Sequence, residues 1–315
     1  MHPVLFEVIG LPISPYGLLI ALGMLTGIWV AKRRGRAIGI PEEAVYDTVF
    51  WGVLLGFVGA RIAFVLVNFG AFLRDPLPLV FSREGFVFLG GFLAALPVIA
   101  VVLRRWRVRY LAMADLLAPS LALAHAFGRM GCFFAGCCYG GVCDRPWAVR
   151  FPRIIDWRRG PVDLAEAEFT PGGAIYHGVD RVGDVVGSPA FYDQVKHGQL
   201  DWSDTASLAV HPVQLYDVAI QLGLFALLSW MWWRRRTLHG QIFLLYLWLY
   251  AASRIVLELF RGDLERGLWF GGWVSTSQLI SGGLIVVALG LTLQRRRLFA
   301  PASEPAAAPR DPGDA

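Results

Sequence analysis

The chain has 315 residues, of which 56% are hydrophobic and only 17% are charged, and its formal net charge is +5. In a soluble domain about a quarter of the residues are charged, so this composition excludes an ordinary soluble enzyme and favours an integral membrane protein. The basic residues fall in short clusters between apolar stretches, a distribution that argues against nucleic-acid binding.

Seven apolar stretches follow one another along the chain, and each approaches the roughly 20 residues that cross a bilayer core. They lie near 14–31, 46–68, 85–103, 112–135, 212–233, 240–260 and 273–293. The sequence therefore predicts an all-α integral membrane protein with seven transmembrane helices. Residues 1–300 are expected to form this domain, and residues 301–315, rich in Ala and Pro, a disordered cytoplasmic tail.

The loops between the spans predict the orientation of the chain. Basic clusters follow the first, third, fifth and seventh spans, at 32–36, 104–109, 234–236 and 295–297. By the positive-inside rule the amino terminus lies outside and the carboxyl terminus lies in the cytoplasm. The long segment 136–211 between the fourth and fifth spans is then on the outer face, where its length favours a small periplasmic head.

Five ionisable side chains within the spans share one depth near the outer face: Arg61, Arg129, Asp217, Arg254 and Glu258. A charge inside a bilayer is expensive and marks a site or a pathway. Arg254 and Glu258 lie four residues apart and can pair along one helix. Such pairs could merely lock helices together. The three arginines outnumber the two carboxylates, however, and the surplus positive charge suits an anion such as a lipid phosphate.

The segment 128–141, GRMGCFFAGCCYGG, marks the outer end of the fourth span. Its cysteines, with Cys143, follow the spacing C-x4-C-C-x4-C, which lacks the paired C-x2-C of structural zinc sites. We therefore expect no metal site. On an oxidising face disulfides or free thiols are favoured, and a bond from Cys137 or Cys138 to Cys143 is more plausible than one between the adjacent pair.

Two further groups of polar residues lie at the same outer level. His125, Arg129 and Cys132 are spaced i, i+4 and i+7, hence on one helix face. A single histidine in this setting is more often a satisfied polar residue than a catalyst. The motif HPVQLYD at 211–217 opens the fifth span and brings Gln214, Tyr216 and Asp217 to this level.

Together these motifs resemble the phosphatidylglycerol–prolipoprotein diacylglyceryl transferase family over about residues 10–295. The matching parts are Tyr16-Gly17, Gly59-Ala60-Arg61, Gly90-Gly91, Gly128-Arg129-x-Gly131, HPVQLYD at 211–217, and Tyr250-x3-Arg254-x3-Glu258. The resemblance implies an enzyme of the bacterial inner membrane. It would move diacylglyceryl from phosphatidylglycerol to the lipobox cysteine of a preprolipoprotein signal peptide and release glycerol phosphate. No metal or organic cofactor is implied.

The resemblance also implies roles for individual residues. Arg129 and Arg254 are expected to hold the phosphate, while Tyr250 and Glu258 orient groups or move protons. The outer loop is expected to receive the lipobox peptide. The implied substrate-binding residues are Tyr16, Arg61, Gly90, Gly91, Gly128, Gly131, Cys132, Gly140, His211, Gln214, Tyr216 and Asp217.

The 128–141 segment departs from the family signature. Cys132 and Ala135 replace its asparagines, and Cys137 replaces its glutamate. The form GCFxAGCCYG therefore resembles a variant branch of the family.

A second departure concerns the candidate base. The family's His-Gly-Gly is here Leu89-Gly90-Gly91, and leucine cannot take a proton. His125 is the first candidate to replace it, with Glu258 and Tyr250 as others. The alternatives are a catalytically altered or inactive homologue that binds phospholipid, and a membrane transporter.

Overall fold

The structure is a computed structural model that describes residues 6–8, 11–77, 87–152, 155–156, 160–161, 185–186, 188–201, 204–262, 268–269 and 274–307. Helices dominate these ranges. The long helices are α1 (Pro15–Arg36), α2 (Glu42–Val67), α4 (Phe88–Arg105), α5 (Tyr110–Ala135), α7 (Val213–Arg234), α8 (Gln241–Glu258) and α9 (Thr276–Leu293). The short helices are α3 (Phe69–Phe72), α6 (Pro189–Lys196) and α10 (Arg295–Leu298).

Short antiparallel strands accompany the helices. Strand β1 (Phe6–Val8) pairs with β2 (Leu11–Ile13), and β6 (Leu268–Trp269) pairs with β7 (Val274–Ser275). Between them in sequence, β3 (Ile155–Asp156) is the central strand between β4 (Gly160–Pro161) and β5 (Val185–Val186). No described strand is longer than three residues, so helices carry the architecture.

Six of the described helices, α1, α2, α5, α7, α8 and α9, are long and apolar enough to cross a bilayer. Their mean hydropathies run from 1.3 to 2.1, and many of their large apolar side chains are exposed, as lipid-facing surfaces require. The chain is therefore a multi-pass membrane protein. Helix α4 occupies the third predicted span, and the count of seven spans stays a prediction.

The chain divides into two compact units. The first comprises residues 1–27, 119–234 and 244–295, and the second residues 28–118, 235–243 and 296–315. In the described part of segment 136–211, which belongs to the first unit, Phe151 and Ala190 are fully buried against Tyr139 and Val210.

In the second unit, α2 and α4 pack through small residues. A Cβ added at Gly90 would lie 2.8 Å from the Gly59 carbonyl oxygen, and one at Gly91 would lie 2.6 Å from that of Gly56. Only glycine permits such an approach of two backbones, which is a common way to pack helices in membranes.

The start of α8 in the second unit is capped from α5. The fully buried carboxylate of Asp115 accepts hydrogen bonds of 2.8 Å from the backbone N–H groups of Gly240 and Phe243. Arg236 Nε lies 3.5 Å from the same carboxylate. The first backbone N–H groups of a helix lack partners within it, and Asp115 satisfies two such groups at the α8 terminus.

Residues 301–307 of the carboxyl-terminal segment, which were expected to be disordered, pack against the protein. Ala302 N donates to the Thr237 carbonyl at 2.8 Å, and Arg109 N donates to the Ala306 carbonyl at 3.0 Å. Ala306 is buried. Backbone hydrogen bonds and apolar burial hold this Ala-Pro segment where composition alone indicated a free chain. Residues 308–315 lie outside the described residues.

Candidate functional site

A buried carboxylate, Asp217, joins three helices in the first unit. The side chain comes from the first turns of α7, and one of its oxygens, Oδ2, lies 2.7 Å from Arg129 Nε of α5. The same oxygen lies 3.8 Å from Arg254 Nη1 of α8. Among the described contacts, one carboxylate thus faces two guanidinium groups and neutralises the charge of only one. Three of the five polar residues predicted to share a depth thus come together.

His125 belongs to the same cluster. Its Nε2 accepts a hydrogen bond of 3.2 Å from Arg129 Nε and lies 3.7 Å from Asp217 Oδ2. Its ring centroid lies 5.7 Å from that of Tyr250. Since Nε2 accepts from an arginine, its lone pair is already engaged. This geometry favours a role in positioning Arg129, and the role of a base stays a prediction.

Two further polar side chains, which the sequence did not reveal, belong to this cluster. Gln221 Nε2 donates to Asp217 Oδ1 at 3.2 Å, and Arg254 Nη2 donates to Ser277 Oγ at 3.0 Å. Gln221 could have been found from its i+4 spacing to Asp217, whereas Ser277 gave no sequence signal beyond polarity at a helix start. Glu258, at the last residue of α8, is buried.

The HPVQLYD motif holds the neighbouring backbone. Gln214 Nε2 donates to the carbonyl of Cys137 at 2.8 Å. The Tyr216 hydroxyl lies 3.0 Å from His211 Nδ1 and accepts from Trp147 Nε1 at 2.7 Å. These side chains therefore tie the start of α7 to the segment that follows α5.

Helix α5 ends in a Schellman turn. Gly136 takes a left-handed φ of 73°. Its N–H donates to the Phe133 carbonyl and the Cys137 N–H donates to the Cys132 carbonyl, both at 3.2 Å. This pattern of hydrogen bonds brings the side chains three residues before the cap and two after it into contact. Here those two side chains are the thiols of Cys132 and Cys137.

A third thiol joins this pair. Cys138 also has a left-handed φ, 57°, and the sulfur atoms of Cys132, Cys137 and Cys138 all lie within 4.8 Å of one another. All four cysteines are free, so the expected alternative of free thiols applies and no bond to Cys143 is present.

The thiols of the cluster differ in pKa. Hydrogen bonding with Cys132 and Cys137 lowers the pKa of Cys138 well below that of an ordinary cysteine, and the charges of Arg129 and Arg261 act in the same direction. The pKa of Cys137 is raised, first by its hydrogen bond with Cys132. Cys138 is therefore the most acidic of the three thiols.

The loop after the cysteines is fixed by close backbone contacts. Gly140 N donates to the His211 carbonyl at 2.9 Å, and a Cβ at residue 140 would come within 2.5 Å of that carbonyl oxygen. Gly141 N donates to the Phe260 carbonyl at 2.9 Å. Helix α1 approaches α5 closely at Gly131, where an added Cβ would lie 3.0 Å from the ring of Tyr16. Glycine at 131 and 140 is thus required by packing.

Four further predicted site residues are Gly128, Arg61, Gly90 and Gly91. Gly128 directly precedes Arg129 in the first unit, and no described atom lies within 4 Å of where its side chain would project. Arg61 lies on α2 of the second unit, its guanidinium carbon 5.7 Å from the Phe64 ring centroid. Gly90 and Gly91 are explained by helix packing without a ligand, and Leu89 is 56% exposed. The predicted placement of these second-unit residues beside Arg129 stays a prediction.

Comparisons with known proteins match nearly the whole chain. The family model described as prolipoprotein diacylglyceryl transferase matches residues 3–294. A relative from Clostridium tetani (strain Massachusetts / E88), named phosphatidylglycerol–prolipoprotein diacylglyceryl transferase, is 28% identical over 289 residues, or 92% of this chain and 96% of its own. A relative of the same name from Vibrio vulnificus (strain CMCP6) is 30% identical over 297 residues, or 92% of this chain and 90% of its own.

Proposed function

The chain belongs to the prolipoprotein diacylglyceryl transferase family, and we propose that it transfers the diacylglyceryl group of phosphatidylglycerol to the lipobox cysteine of preprolipoproteins. The thiol becomes a thioether and glycerol phosphate is released. The observation that carries this proposal is the pair of arginines, Arg129 and Arg254, that converge on the single carboxylate of Asp217.

The arginine pair suits the leaving group of this reaction. Asp217 contacts Arg129 at Nε, so the two terminal amino groups of that guanidinium are the ones to hold the lipid phosphate. Charge-assisted hydrogen bonds of this kind are stronger than neutral ones and recognise phosphate in a fixed geometry. They also stabilise the charge that grows on the phosphate oxygen as its bond to carbon breaks. Asp217, held by Gln221, keeps both arginines in place.

The groups around the arginines fit the rest of the reaction. Tyr250 and Glu258 lie on α8 one helical turn before and after Arg254, on the same face. They orient the lipid headgroup or carry protons. The thiol acceptor approaches from the cysteine segment that Gln214 ties to this cluster, and Tyr16 packs against that segment at Gly131.

The same proposal includes the arrangement in the membrane. Seven helices span the inner membrane, with the amino terminus outside, the carboxyl terminus in the cytoplasm, and residues 136–211 as the periplasmic head that receives the signal peptide. The distribution of basic clusters supports this orientation.

Complementation tests the function in cells. A bacterial strain depleted of its own transferase should grow when this chain is expressed and should accumulate diacylglyceryl-modified lipoprotein. The purified protein should join diacylglyceryl to a lipobox peptide in phosphatidylglycerol vesicles, as read by the mass of the peptide.

Two controls make the assay specific. A peptide whose lipobox cysteine is replaced by serine should gain no mass, and vesicles of phosphatidylethanolamine should give little product. Well-inserted protein that neither complements nor modifies the peptide would contradict the transferase function and favour a phospholipid-binding homologue.

A further inference from the structure

Three thiols at the end of α5 form a cluster that has no part in the proposed phosphate binding by Arg129 and Arg254. The sulfur atoms of Cys132, Cys137 and Cys138 lie within 4.8 Å of one another. Each of the three residues keeps part of its surface exposed. The spacing in the sequence argued against a metal site, but the Schellman turn and the left-handed Cys138 bring together thiols that the spacing does not.

The separation of the sulfur atoms suits a soft metal ion. A zinc–sulfur bond is about 2.3 Å long, so three sulfurs in a plane around one ion lie about 4 Å apart. Small side-chain rotations therefore suffice to close the cluster on an ion. The backbone that carries the thiols is already fixed, because Gln214 holds the Cys137 carbonyl at 2.8 Å and Gly140 pairs with His211 at 2.9 Å.

The surrounding charges also favour an ion with thiolate ligands. The carboxyl end of α5 carries partial negative charge and by itself opposes an anionic complex, so positive groups must lie nearby. Three thiolates around a divalent ion leave a single negative charge. Arg129 and Arg261, which act electrostatically on Cys138, balance that charge.

We propose that Cys132, Cys137 and Cys138 bind one thiophilic divalent ion, Zn²⁺ in the cell, and that its fourth position takes the acceptor thiol. This inference rests on the transferase function proposed above. Catalytic zinc sites combine three protein ligands with one open position, and a thiol that coordinates the ion is deprotonated. The ion thereby supplies the thiolate that Leu89, in the place of the family's histidine, cannot generate.

The step needs no oxidant or reductant. The acceptor thiol binds the ion and releases its proton to water. Its sulfur then forms a bond to the glyceryl carbon while the bond from that carbon to the phosphate oxygen breaks, and the electron pair leaves on glycerol phosphate. Arg129 and Cys132 are three residues apart on α5, which places their Cβ atoms about 5–6 Å apart. Attacking sulfur and leaving phosphate are thus held side by side.

Cobalt binding tests the site without reference to activity. Full-length protein in detergent micelles, stripped by a chelator under reducing conditions, is titrated with Co²⁺, whose thiolate complexes absorb light. We expect one ion per chain in the wild type and in C143S, whose thiol lies outside the cluster. Each of C132S, C137S and C138S should bind more than about tenfold more weakly. Lack of thiolate-to-cobalt absorption in the wild type, or its loss in C143S alone, would overturn the site.

The open position is tested with the acceptor. A lipobox peptide should shift the visible cobalt bands, and the same peptide with serine for cysteine should not. Chelation should abolish transfer and Zn²⁺ should restore it. Full transfer by metal-free protein would overturn the proposed activation while leaving the transferase function intact. Conversely, if cobalt binds and responds to the peptide but no metal state yields thioether, the site survives and the transferase function fails.

Discussion

Two arginines on one carboxylate define the site at the scale of residues. Arg129 and Arg254 are both held by Asp217, at 2.7 Å and 3.8 Å. A buried charge pair that only locked helices would be balanced, since unpaired buried charge is costly. Among the described contacts of Asp217, the second guanidinium exceeds what this carboxylate neutralises, and we propose that an incoming phosphate supplies the matching negative charge.

We expect Arg129→Ala and Arg254→Ala each to abolish transfer while the protein still inserts. A hydrogen bond to a charged group contributes roughly 1.5–3 kcal/mol, which is about a ten- to hundredfold loss of rate before further transition-state effects. Turnover of phosphatidylglycerol in vesicles measures the effect, and the exposed Arg296→Ala serves as control. Near-normal turnover in both site variants would rule out phosphate binding by this arginine pair.

The proton acceptor can be identified by two substitutions. Because His125 Nε2 accepts from Arg129, we expect His125→Gln to lower the rate moderately without moving the pH profile. Leu89→His should add a basic group at the family's position and so add an ionisation step to the pH–rate profile. The pH–rate profiles of the two variants and the wild type provide the measurement. Loss of an ionisation step in His125→Gln would identify His125 as the base after all.

At the scale of elements, the site depends on how α5 ends and how the next loop is held. The Schellman turn at Gly136 stops the helix and turns the chain, and Gly140 and Gly141 then pair with the 211 and 260 segments. The loop is thereby fixed against the starts and ends of two other helices, which gives the thiols and Arg129 a defined separation.

Two adjacent glycines offer a matched test of this loop. A Cβ at Gly140 would lie 2.5 Å from the His211 carbonyl oxygen, whereas none of the described atoms lies within 4 Å of one at Gly141. We expect Gly140→Ala to lower the free energy of unfolding by about 1–3 kcal/mol, the usual cost of overpacking, and to reduce transfer. Thermal unfolding in detergent measures the loss of stability. Gly141→Ala should behave as wild type. Equal behaviour of the two variants would contradict the close approach.

At the scale of the whole molecule, the carboxyl-terminal segment is part of the fold. His239, which is 1% exposed, accepts from Arg236 Nη2 at Nδ1 and lies 3.0 Å from the Glu304 carbonyl at Nε2. The carbonyl can only accept, so Nε2 carries the proton and the ring is neutral. The segment is therefore held by a histidine whose charge state matters.

This histidine predicts a pH dependence of stability. Burial lowers the pKa of His239 below its ordinary value, and the charges of Arg236 and Arg109 act in the same direction, against the Glu304 carbonyl. The unfolded ring takes up a proton below about 6.5 while the folded ring resists it. Its contribution is thus present above about pH 6.5 and lost as pH falls toward the folded pKa. Thermal unfolding in detergent should show this decline in the wild type and a flatter profile in His239→Gln. If stability fell with pH as steeply in His239→Gln as in the wild type, His239 would not be the source of the pH dependence.

Sequence alone determined the membrane character and the positions of the long helices, because apolar runs of span length and basic flanks follow directly from the cost of charge in lipid. It also identified Arg129, Arg254 and Asp217, since an ionisable residue within such a run is rare. Polar partners outside a motif, such as Ser277, gave no comparable signal.

Only the tertiary structure decided which of these residues meet. The ordered segment 301–307 and the cluster of Cys132, Cys137 and Cys138 depend on backbone hydrogen bonds and left-handed φ angles. Linear spacing does not encode those contacts. A C-x4-C spacing argues against a metal when the chain is extended, yet a Schellman turn folds its two ends together. The physical reason is that a helix terminus reverses the chain within two residues, which changes the neighbours of a side chain without changing the sequence between them.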